Sequence, residues 1–249
     1  MLNRDIYNKA PQENRLVNNG VAEVSEDHSE AAQAILRYEL ETFVCDGQYE
    51  KGLETILDKF LVNLDAGTEQ PGVWISGFYG SGKSHLAKML RTLWTDYQFA
   101  DGATARSLAK LPTGVFEHLK ELSTQGRRHG ALHAAAGKLG AGAGDKVRLA
   151  LLGIVFKSKG LPEQYNQAQF ILWMKQEGIL DKVEAELCKV GRTLARELPH
   201  MYVSDNLANA LLQVKPTLAS SVADLYSRLE AQFPQVTDVT SEQMTTAIE

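Results

Sequence analysis

Eight consecutive residues of this chain have the types and spacing of a phosphate-binding loop. Gly77-Phe78-Tyr79-Gly80-Ser81-Gly82-Lys83-Ser84 matches G-x-x-x-x-G-K-[ST] at every fixed position. A triphosphate is bulky and multiply charged, so a loop that wraps it must turn sharply and bring backbone N–H groups close. Side chains obstruct that approach, which is why Gly77, Gly80 and Gly82 stand where a Cβ would interfere most. A helix beginning near Lys83 would direct its positive end at the phosphates. Lys83 is then expected between the β- and γ-phosphates, and Ser84 is expected to offer its hydroxyl to Mg²⁺. Ser81 within the loop and His85 just after it complete the set expected around ATP-Mg²⁺. A packing role in the first helical turn is the competing reading of His85.

Phosphoryl transfer also needs an apolar strand ending in Asp or Asp-Glu to hold the metal and orient water. No segment downstream of Ser84 reads that way. Val147–Phe156 ends in Lys157, Leu180-Asp181 falls in a helical pattern, and Leu64-Asp65 lies upstream in a helix. The expectation is therefore nucleotide binding, with no catalytic residue assigned and with hydrolysis depending on elements beyond the C-terminus. Other groups carry less. Arg127-Arg128-His129 reads as a solvated basic cluster sooner than as a nucleic-acid contact. Gly140, Gly142 and Gly144 do not form G-x-G-x-x-G, which argues against a dinucleotide site. Trp173 and Met174 share helical spacing with Phe170 and read as core. Tyr38 is a candidate to stack on adenine, with core packing as the alternative. Cys45 and Cys188 belong to no CxxC pair, so neither a zinc knuckle nor a disulfide framework is expected.

The loop needs elements that hold it. Val73-Trp74-Ile75-Ser76 is short, apolar and flanked by Gly72 and Gly77, and reads as a buried strand. The helix after the loop runs from about Lys83 to Trp94, with Leu86, Met89, Leu90, Leu93 and Trp94 inward. Upstream, Leu53, Ile56, Leu57, Phe60, Leu61 and Leu64 form one apolar stripe at helical spacing. An earlier helix is expected from Ser25 or Ser29 to about Val44, stopped at Cys45-Asp46-Gly47. Residues 101–123 read as helical with a break at Pro112, 125–130 as a polar turn, and 129–139 as a site for a second strand. Val147–Phe156 is apolar throughout, and pattern alone leaves helix and strand open. Helices are expected at 170–175, 180–190, 207–214 and 218–233. The tail from Ser241 opens like a capped helix without a stop signal and reads as cut. The fold class that follows is α/β: a partial, AAA+-like P-loop NTPase sheet with a preceding helical segment (1–71), a loop-bearing half-domain (72–145) and a mostly helical region (146–249).

Composition bounds the rest. At 249 residues the chain holds one large or two small domains, taking roughly 150 residues for each. Hydrophobic residues make up 44% and charged residues 23%, which excludes a wholly disordered chain. A formal charge of −5 argues against a protein that coats nucleic acid nonspecifically. No apolar run reaches the roughly 18–20 residues of a membrane span, and the N-terminus lacks a secretory h-region. A reducing cytoplasm is the expected setting, with no membrane partner.

Residues 72–86, with two helices before them, resemble the N-terminal region of the BrxC/PglY family of P-loop proteins from BREX and related phage-defence systems. Leu132-His133-Ala134-Ala135-Ala136-Gly137 and Gly160-Leu161-Pro162-Glu163-Gln164-Tyr165 are similar to the same family. The resemblance covers the whole chain, although family members are much longer. It implies a cytoplasmic AAA+-like ATPase that works with other BREX components, among them a DNA methyltransferase and associated subunits. Self-association and indirect contact with DNA would accompany that role. Residue by residue it carries over only Gly77, Gly80, Gly82, Lys83 and Ser84, and it places the acidic strand beyond Glu249. Other P-loop classes fit less well. A small-molecule kinase would place the loop nearer the N-terminus, and a transporter-type ATPase would need a Leu-Ser-Gly-Gly-Gln-like signature. A non-catalytic, nucleotide-regulated interaction scaffold remains the alternative.

Overall fold

Polar caps and apolar stripes set the helices. The computed structural model describes residues 29–67, 69–70, 72–139 and 146–248. The polar segment before residue 25, Ser25 as an alternative cap, and Gly140, Gly142 and Gly144 lie outside the described residues. Ser29 accepts the Ala32 N–H at 3.3 Å and starts α1, Glu30–Glu41, satisfying one donor that a helix start leaves over. α1 ends at Thr42, and Asp46-Gly47, expected as its stop, instead opens α2, Gly47–Ala66. The α2 stripe is buried at Leu53, Leu57 and Leu61, and the helix closes on Gly67 in the left-handed conformation. α3 spans Lys83–Trp94. Thr104 caps the single turn α4, Ala105–Leu108. Pro112 then starts α5, Thr113–Arg128, because its fixed φ suits a helix entrance. Residues 125–128, expected as a turn, continue this helix, since Leu122, Gln125 and Gly126 extend its buried face.

The chain divides into two compact units, one ending at Ala136 and the other beginning at Gly137. In the first, α2 packs along α5 while α3 and α4 complete the layer. Leu40, Leu57, Met89, Leu93, Leu119 and Leu122 meet in its core, each fully buried. Burying a side chain of this size contributes roughly 1.5–3 kcal/mol relative to leaving it in water.

A buried arginine ties this unit together. The Arg106 guanidinium donates to the Leu93 carbonyl at 2.7 Å and the Trp94 carbonyl at 2.9 Å. It also reaches the Leu119 carbonyl at 2.8 Å and the Ser123 hydroxyl at 2.6 Å. Arg106, from α4, thus links two carbonyls at the end of α3 to α5. Burial pushes the Arg106 pKa down, while the nearby Asp96 carboxylate opposes that shift.

The second unit is built from α6 (Val147–Ser158), α7 (Tyr165–Gln176), α8 (Leu180–Lys189), α9 (Leu194–Glu197), α10 (Asp205–Val214), α11 (Val222–Gln232) and α12 (Ser241–Ile248). α10 packs on α8 and α11, and α12 packs on α6. Its larger core gathers Phe170, Met174, Leu187, Leu207, Leu211 and Leu225, all fully buried. Trp173 stacks on Phe170 with ring centroids 5.9 Å apart, and both rings meet Phe233. No described helix is long and apolar enough to cross a membrane.

The expected α/β sheet is not what forms. Among the described residues there is no strand, and pairing is limited to one isolated bridge between Gln98 and Thr104. Residues 73–76 are extended, but a strand needs a neighbour to bond, and no described segment pairs with them. Ile75 packs against the first core while Trp74 and Val73 stay in solvent. Val73 and Ile75 would share one face of a strand, yet only Ile75 is covered, so the extended segment has neither a paired neighbour nor the second layer that would bury it. Residues 129–139, expected as the site for a second strand, hold no strand: a turn and a bend at 129–130 are followed by irregular chain. Val147–Phe156, open between helix and strand on pattern, lies in α6, where Leu152 and Phe156 face a small core with Ala168 and Val239.

Candidate functional site

The extended residues 73–76 deliver the chain to a bend that ends at the first residue of α3. Gly80 has φ 79° and Gly82 φ 78°, the left-handed region that side-chain-bearing residues rarely adopt. The Ser81 N–H donates to the Phe78 carbonyl at 3.2 Å and closes the turn between them. A Cβ at Gly77 would stand 2.6 Å from the Ser81 hydroxyl. Gly82 is the N-cap of α3 and supplies no capping side chain, so the first N–H groups of the helix keep no local acceptor. The N–H groups of Gly80, Gly82, Lys83 and Ser84 donate to no acceptor among the described residues.

Lys83 folds back over the bend. Its ammonium donates to the Gly77 carbonyl at 2.8 Å and the Phe78 carbonyl at 2.7 Å, with the Ser81 hydroxyl at 3.5 Å. A positive charge and a row of unbonded N–H groups thus share one turn, which is the donor set a polyphosphate requires. Ser84 is exposed on the first turn of α3, where its hydroxyl could supply one oxygen to a Mg²⁺. Beside the bend, α2 and residues 73–78 enclose an open cleft of about 680 Å³, lined among others by Tyr49, Lys51, Thr55, Trp74 and Lys83.

The structure brings Gly77, Gly80, Ser81, Gly82, Lys83 and Ser84 onto this one bend. His85 is placed differently: its ring is half-buried against Phe43, with centroids 5.7 Å apart. Burial pushes its pKa down; Glu39 opposes the shift and Lys88 adds to it. Glu39 is itself buried and pairs with the Lys88 ammonium at 2.5 Å, joining α1 to α3 beneath the loop. Arg127, Arg128 and His129 are exposed at the C-terminal end of α5, where positive charge complements the helix dipole. Cys45 is buried and its thiol is pushed up to about 11, chiefly by burial, whereas Cys188 is exposed.

Two participants left no trace in the motif. Tyr49 donates its hydroxyl to the Ser81 carbonyl at 2.7 Å across 32 residues of sequence, and Arg106 organises the carbonyls at the far end of α3. No protein family, curated protein or solved structure matches this chain.

Proposed function

We propose that residues 77–84 bind the polyphosphate of ATP with its Mg²⁺. The observation that carries this reading is the set of unbonded N–H groups at Gly80, Gly82, Lys83 and Ser84 on one bend beside the Lys83 ammonium. The backbone donors hold phosphate oxygens, Lys83 neutralises charge, and Ser84 supplies one oxygen to the metal. The adjoining cleft has room for the nucleoside, and no Asp or Glu is among its lining residues. The proposal is accordingly one of binding and assigns no residue to activate water.

The resemblance of residues 72–86, 132–137 and 160–165 to the BrxC/PglY family supports a setting for this binding. In that setting the protein acts in the cytoplasm as a nucleotide-responsive component of BREX-type phage defence, alongside a methyltransferase and associated subunits. Calorimetry with Mg-ATP tests the core of the proposal. Lys83→Ala is expected to weaken binding roughly 10- to 100-fold, since a charged hydrogen-bond donor to phosphate is worth about 1.5–3 kcal/mol. Circular dichroism should be unchanged. Equal affinity in the variant, or no binding by the wild type, would overturn the assignment.

A further inference from the structure

We infer that Tyr49 is a positioning residue for the phosphate loop, acting through the peptide between Ser81 and Gly82 and not through contact with the nucleotide. This rests on the reading of residues 77–84 as a phosphate site. Tyr49 lies in the first turn of α2, and its hydroxyl donates to the Ser81 carbonyl at 2.7 Å. Among the described residues, that is the sole hydrogen bond between α2 and the bend. A peptide unit is planar, and in its trans form the C=O and the following N–H point in opposite directions. Holding the Ser81 carbonyl against α2 therefore turns the Gly82 N–H away from α2.

The ring has little freedom to do otherwise. It meets Phe43 edge-on, with centroids 6.4 Å apart and planes at 85°, and Phe43 is buried in the first core. On the other side, the hydroxyl lies 2.2 Å from where a Gly82 Cβ would be. Gly82 is thus confined twice: its φ of 78° disfavours a side chain, and Tyr49 fills the space that side chain would take. The same glycine freedom that permits the bend also permits the Ser81–Gly82 peptide to rotate. Rotation would turn the Ser81 carbonyl oxygen, an acceptor, to where Gly82 presents a donor, and an acceptor repels phosphate. The Tyr49 hydroxyl selects the donor-presenting orientation.

The test uses the full chain, with Mg-ATP and inorganic tripolyphosphate as separate probes. Tyr49→Phe keeps the ring and removes the bond. It is expected to weaken both ligands by the same factor, about 3- to 10-fold for one hydrogen bond, while the ligand-free melting temperature moves by less than about 2 °C. The Gly82 amide resonance, followed by NMR, is expected to shift in the same variant and reads the peptide directly even where the affinity change is small. Loss confined to ATP would mean that Tyr49 touches the nucleoside, and a lowered melting temperature with both affinities unchanged would mean a purely structural role. Either result overturns the inference and leaves the phosphate site standing. A wild type that binds neither probe would remove the phosphate site itself, and this inference with it.

Discussion

Both units pack aromatic residues in their cores, but only the first also gathers three of them in solvent. In the unit beginning at Gly137, Phe170, Trp173 and Phe233 stack and cross within 6 Å of one another and build the core. In the unit ending at Ala136, Trp74, Phe78 and Tyr79 are 90%, 91% and 97% exposed, all within six residues of one another around the glycine bend. Large apolar groups gathered beside the bend fit the proposal made for it. The polar groups differ in parallel. The second unit satisfies its buried polar side chains locally, as in the Ser204 hydroxyl on Glu197 at 2.6 Å and the Asn166 amide on the Tyr202 hydroxyl at 2.7 Å. The first leaves a run of backbone N–H groups without acceptors at one turn. One unit consumes its interaction capacity in folding, and the other keeps part of it at the loop.

Substitutions that sharpen this contrast should differ in size. The largest effect is expected from Phe170→Ala, which opens a cavity in the second core and should cost about 3–5 kcal/mol in denaturant unfolding. Trp74→Ala, by comparison, should stay within about 0.5 kcal/mol, because the indole buries almost nothing. A Trp74 variant as damaging as the Phe170 variant would break the comparison. Arg106→Met comes next, at about 3 kcal/mol, since it removes four hydrogen bonds from one buried guanidinium and leaves the Trp94 carbonyl without that donor. Chemical denaturation monitored by circular dichroism measures it, and an unchanged midpoint would mean that the Arg106 partners find other donors.

The smallest effect concerns pH. The folded-state pKa of His85 is depressed below its ordinary 6.5, mainly by burial, against the opposing Glu39 and with the reinforcing Lys88. The unfolded chain therefore binds the proton more readily. This contribution to stability is fully present above about pH 6.5 and is lost as pH falls through the window below it. The melting temperature should drop between pH 7.5 and 5.5 by less than about 4 °C, and His85→Gln should flatten that slope. The depressed carboxylates Asp101, Glu197, Asp224 and Asp238 act in a lower window, as pH falls from their ordinary range toward their depressed folded-state values.

What could be read from sequence followed from local physics. The spacing of glycines, lysine and serine identified the bend, and the period of Leu86, Met89 and Leu93 located α3 at Lys83–Trp94. Leu53, Leu57 and Leu61 did the same for α2, and Pro112 correctly separated two helices. The sheet was misread because Val73–Ser76 has the composition of a strand, and composition says nothing about whether a neighbour is there to pair with it. Residues 125–128 misled in the opposite sense: their polar side chains hide a buried Gln125 and a Gly126 packed against Leu132. Tyr49 and Arg106 were invisible because each acts through a contact between segments far apart in sequence, and neither sits in a motif.

The placement of Trp74 also makes the protein its own optical reporter. Of the three tryptophans, Trp94 lies against Phe60 and Trp173 against Phe170, while Trp74 lines the cleft with its indole in water. Its emission should be the most red-shifted of the three and the most readily quenched by iodide, so an occupant of the cleft would announce itself in the fluorescence without any label.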